Sequence, residues 1–84
     1  MSPHKSLGRQ LAVEDRDIAI AVGQRIRNIR IGLGLTQSQV AGDRYTKAYI
    51  SALENGLAKP SLAALVFIAR RFAVPPSYFL EGIK

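Results

Sequence analysis

The 84-residue chain has no cysteine, so neither a disulfide framework nor a thiolate metal site can form. Its one histidine, His4, cannot build a zinc site, and no metal or other cofactor is expected. Acids are scarce. Six Asp plus Glu stand against twelve Lys plus Arg, and the resulting charge of +6 suits an anionic partner, either nucleic acid or an acidic membrane surface. Long apolar runs are missing too: the longest, Leu62 to Ala69, falls far short of the roughly 20 residues of a membrane span. No N-terminal stretch resembles a signal peptide, so the expected location is cytoplasmic, at the nucleoid when bound, with no membrane partner. Hydroxyl, carboxylate and imidazole groups are scattered, and no glycine-rich phosphate loop precedes a helix. No enzyme is expected.

What is present is a single small globular domain, 48% hydrophobic and 21% charged, organised around Thr36 to Gly56. Thr36 and Gln39 make a Thr-x-x-Gln capping box, which starts a helix near Gln37 with Val40 and Ala41 facing inward. Gly42-Asp43-Arg44 then breaks the chain into a turn. Thr46 is the N-cap of a second helix, Lys47 to Asn55, and Gly56 sits just past its end, where a left-handed residue is needed. Ile50 and Leu53 share its inward face. Lys47, Ser51 and Asn55 recur at four-residue spacing on another, flanked by Ala48 and Ala52. A small, polar outward face lets a partner approach the backbone closely, although alanine is also simply the best helix former.

The flanking segments supply a scaffold. Residues 1–13 read as a flexible basic arm whose Lys5 and Arg9 suit phosphates or a minor groove, a plain disordered tail being the simpler reading. Residues 14–84 form the domain. Glu14, Asp15 and Asp17 mark the start of helix 1 through the helix dipole, and Ile18, Val22, Ile26, Ile29 and Leu33 form its core stripe. Arg25, Arg27 and Arg30 lie around that stripe; a basic helix face is more often simply solvated, the alternative being that Arg25 or Arg27 reaches a nucleic-acid backbone. After Lys59-Pro60, Ser61 caps a central helix to about Phe72 that places Leu62, Leu65, Val66, Ile68, Ala69 and Phe72 inward. Pro76 opens a last short helix through Leu80. Tyr78, Phe79 and Leu80 are read as closing the core, the alternative being a dimer contact together with Phe67.

The run Ile26-Arg27-x2-Arg30-x3-Gly34-Leu35-Thr36-Gln37-x2-Val40-Ala41, then Tyr49-Ile50-Ser51-x-Leu53-Glu54-x-Gly56 and Pro60-Ser61, resembles the XRE family of helix-turn-helix domains. These domains are similar to the phage Cro and repressor proteins. The likeness covers about Val22 to Gly82. It implies an all-α, compact five-helix domain, lambda repressor-like, whose third helix, Lys47 to Asn55, lies in the major groove of double-stranded DNA. It also implies a transcription regulator, repressor-like and homodimeric. Carried over by position, Gln37 meets phosphate or supports the recognition helix. Lys47, Ala48 and Ala52 face bases, with Tyr49 and Ser51 on the same helix. Asn55 and Lys59 stand near the backbone, and Arg30 with Glu54 forms a structural ion pair. One departure stands out: Val40 to Thr46 is a residue shorter than the usual spacing, and Arg44 occupies the usual turn glycine. Two other readings stay open, an antitoxin or other protein-interaction module, and the DNA-binding part of a longer sensor protein.

Overall fold

The computed structural model describes the backbone of residues 3–83 and the side chains of residues 15–83. Four α-helices, α1 (Pro3–Gly32), α2 (Gln37–Ala41), α3 (Lys47–Glu54) and α4 (Leu62–Phe72), precede a 3-10 helix, η1 (Pro76–Leu80). There is no strand among the described residues. The fold is thus all-α, and its fifth element is a tight 3-10 turn rather than a fifth α-helix.

The helix starts follow the capping chemistry. At α2, Thr36 Oγ1 accepts from the Gln39 amide at 3.0 Å, and the Gln39 side chain accepts from the Thr36 amide at 2.8 Å. Thr46 and Ser61 cap α3 and α4 through the amides three residues on, each at 3.0 Å. The helix ends share one device. Leu35, Leu57 and Val74 each donate to the carbonyl five residues back, and the residue before each donates three back, which is the paired bonding of a Schellman motif. The left-handed residue is Gly34 in the first and Gly56 in the second. In the third it is Ala73, at φ 57°, the non-glycine residue found in this region. Left-handed backbone costs an L-residue about 1–2 kcal/mol, while a glycine gives back about 0.4–1 through the unfolded chain. Ala73→Gly is therefore expected to stabilise by about 0.5 kcal/mol, read as a small rise in urea midpoint. A lowered midpoint would mean that the methyl group itself contributes packing.

Val22, Ile26, Val40, Ala41, Ile50, Leu53, Leu65, Ile68, Ala69, Phe72 and Phe79 form one core drawn from all five elements. Three expectations are corrected. The backbone is helical from Pro3, so the helix runs through the segment read as an arm, and Asp15 and Asp17 lie inside α1 rather than at its start. The side chains of Lys5 and Arg9 lie outside the described residues. Leu33 is 52% exposed because α1 ends at Gly32, and the reversal at Gly34 turns Leu35 onto the core instead. Leu62 is 76% exposed: it stands at the first position of α4, ahead of the buried residues, which begin at Ala64.

Of Tyr78, Phe79 and Leu80, Phe79 is the one buried in the core, its ring edge-on to Phe72 with centroids 6.2 Å apart. Tyr78 and Leu80 are exposed, because a 3-10 turn of three residues can point one side chain of three consecutive ones inward.

Candidate nucleic-acid interface

The unit α2, turn, α3 is set by two backbone choices. Gly42, at φ 58°, reverses the chain after α2, and Tyr45 donates its amide to the Ala41 carbonyl at 3.1 Å, so α3 starts at Lys47 without a glycine at position 44. The end of α2 that leads into the turn is clamped from α4, where Arg71 donates to the Gln39 carbonyl and lies 5.8 Å from the Phe67 ring centroid. The shortened turn is thereby held against the body of the domain.

Beneath α3 lies a polar brace. Glu54 is buried, its side chain 2% exposed, and both of its oxygens are engaged. Arg30 Nε donates to Oε2 at 2.6 Å, and Arg30 Nη2 donates to Oε1 at 2.9 Å, a bidentate pair. Gln37 Nε2 donates to the same Oε1 at 3.2 Å, and Arg30 Nη1 reaches the Leu35 carbonyl at 3.0 Å. Donating its hydrogen bonds to the Glu54 carboxylate raises the Arg30 pKa above its ordinary value; partial burial opposes this and the carboxylate's charge adds to it. The guanidinium is permanently charged. Through the three bonds to Glu54, α1 and the start of α2 hold the far end of α3.

A second contact fixes the crossing of α1 and α3, and the sequence reading did not single it out. Gly23 is buried in α1 where a Cβ would stand 2.0 Å from the Leu53 carbonyl oxygen. The two backbones meet there. A glycine inside a strongly periodic helix was the available signal, since it weakens the helix unless close approach requires it.

The outward face of α3 carries exposed Lys47, Ala48 and Asn55 with half-buried Ser51 and Ala52 between them. Asn55 caps the helix rather than ending it, and its amide donates to the Ser51 carbonyl at 2.8 Å and to Ser51 Oγ at 3.3 Å. Lys47 shares one concavity with Arg30, Gln37 and Ser38, so the starts of α2 and α3 converge. Tyr49 leans away from that face and stacks on Tyr45, centroids 5.1 Å apart. Lys59 lies apart, in the loop after α3, its Nζ 2.8 Å from Asp15 Oδ2 in an exposed pair. Arg25 donates to the Tyr78 carbonyl at 3.1 Å and so serves η1, while Arg27 is exposed.

Two short helices joined by a tight turn, the second braced from behind and open in front, define a helix-turn-helix. The chain belongs to the helix-turn-helix domain family, which matches residues 23–84. Among solved structures it is similar to Bacillus thuringiensis PlcR in complex with the peptide PapR7 and DNA, at 32% identity and a TM-score of 0.71. That likeness covers 74% of this chain and 22% of PlcR, so this chain corresponds to a small part of that protein's length. No curated protein matches. Among the described residues no helix is long and apolar enough to cross a membrane.

Proposed function

We propose that the chain is the sequence-specific DNA-binding unit of a transcription regulator, repressor-like and acting as a homodimer in the cytoplasm, with residues 14–84 as the binding domain and residues 1–13 as a basic extension. The supporting observation is the outward face of α3: small side chains around one long cation, held in place by the partly buried Arg30–Glu54–Gln37 brace. Long-range attraction comes from the charge of +6, and phosphate contacts from Gln37, Asn55 and Lys59 fix the register. Lys47 donates to guanine O6 or N7 in the major groove, and the methyl groups of Ala48 and Ala52 pack on thymine. Ser51 offers its hydroxyl, and Tyr49 supports the helix from its stack on Tyr45. Lys59 leaves Asp15 for phosphate at little cost, since an exposed pair is worth about 1 kcal/mol or less.

The decisive experiment is selection of bound sequences from a random duplex library. A two-fold dimer returns an inverted repeat with half-site centres roughly 34 Å apart. No enrichment, or an asymmetric site bound by one chain, would sink the reading. Repression is tested separately, by placing the selected site over a reporter promoter and asking whether expression falls.

Lys47→Ala tests the base contact. The expected loss is about 1–3 kcal/mol of affinity with relaxed preference at one base pair per half-site, measured on single-base operator variants. A phosphate contact would instead weaken all sequences alike and lower the salt slope by about one unit. The fold should survive, because Lys47 is exposed.

A further inference from the structure

The geometry points to a second docking surface, on α4, that receives an acidic amphipathic helix of a protein partner. Arg44, Leu62, Ala63, Val66, Phe67 and Arg70 line an open groove away from the brace. Its floor is apolar, half-buried Val66 and Phe67, with the 76% exposed Leu62 projecting beside them. Its rims are cationic. Arg44 and Arg70 are exposed, neither forms a salt bridge among the described residues, and no lining residue is acidic. Arg71, the neighbouring cation, is already engaged with the Gln39 carbonyl and Phe67.

Charge and apolarity together select the occupant. A phosphate backbone would use Arg44 and Arg70 but would leave the Val66–Phe67 floor and Leu62 without a partner. A second copy of this groove would cover the floor but would bring like charges together across a two-fold axis. A helix with leucine-like residues at i, i+3 or i+4, and i+7 fills the floor, and carboxylates beside that stripe reach both arginines. The groove is also tied to α3. Phe67 meets the Tyr45 ring edge-on at 5.3 Å, and Tyr45 stacks on Tyr49 of the recognition helix. An occupant therefore presses on the side chains that support α3.

The test pans a displayed library of helical peptides on the whole chain, with the apolar stripe fixed and Asp, Glu, Lys, Arg or Gln free at flanking positions. Acidic flanks should be enriched. The best enriched peptide should lose about tenfold or more in affinity against Arg44→Glu, Arg70→Glu and Leu62→Gln, all at exposed positions, with Arg70→Gln as a milder control of folding. Its amide shifts should centre on α4 and the turn at Arg44. Enrichment of basic or uncharged flanks, or binding that survives the variants, overturns the proposal. So do shifts at Leu62 and Val66 that grow with protein concentration alone, which would mean self-association. A fall in affinity for duplex DNA in Arg70→Gln matching that of Lys47→Ala also overturns it, by making the rim a DNA contact.

Discussion

Gly23→Ala is expected to destabilise the fold by about 2–4 kcal/mol, although alanine is the better helix former by about 1 kcal/mol. The added methyl carbon would stand 2.0 Å from the Leu53 carbonyl oxygen, with the carbonyl carbons of Leu53 and Glu54 at 3.1 and 3.2 Å. These are backbone atoms, so no rotamer change relieves the clash and α1 must part from α3. The Leu53 carbonyl also accepts from the amides of Asn55 and Gly56, and moving it strains the end of α3. Gly32→Ala is the contrast. At the end of the same helix it meets nothing within 4 Å and should be neutral or stabilising by up to about 1 kcal/mol. Urea midpoints of the two variants should move in opposite directions, or at least differ by the full clash energy. Equal midpoints would mean that the helices do not touch at Gly23. In the proposed function the same variant should also lose affinity for a selected site, because α3 is displaced as a body.

The second large effect is at the brace, where the two single truncations are expected to differ. Arg30→Ala strands a carboxylate whose side chain is 2% exposed, with Gln37 as its remaining donor, and should cost about 3–5 kcal/mol. Glu54→Ala leaves a guanidinium that is 15% exposed and still bonded to the Leu35 carbonyl, so its cost should fall at or below the lower end of that range. The double variant should cost less than the sum, and a double-mutant cycle on chemical denaturation measures the difference. Additive losses would show that the pair contributes no coupling. Arg30→Lys should recover only part of the stability, since an ammonium cannot make both parallel bonds.

Much of this was legible along the chain because capping is local. Thr36 with Gln39, Thr46 and Ser61 each satisfy an amide three residues away, and Gly34 and Gly56 supply left-handed backbone where a Cβ is unwelcome, so α2, α3 and α4 could be placed to within a residue. The resemblance added the Arg30 and Glu54 positions, which no local rule connects. Periodicity was a weaker guide at element ends. Leu33 and Leu62 continue apolar stripes in the sequence, but one lies past the last turn of its helix and the other ahead of the first buried residue of its helix, and both face solvent.

The sequence by itself determined α2, α3 and α4, their caps, the turn after Ala41 and the basic balance of the chain, because each depends on neighbours a few residues apart or on composition. Only the tertiary structure decided that Gly23 is a crossing point, that Tyr49 turns to Tyr45 rather than to the face of Lys47, and that Arg25 serves η1. It also decided that Arg44, Leu62 and Arg70, far apart in the chain, frame one groove. These are contacts between separate elements, and their distances follow from how the helices pack on the shared core around Ile26, Ile50, Leu53 and Ile68, which no spacing along the chain encodes.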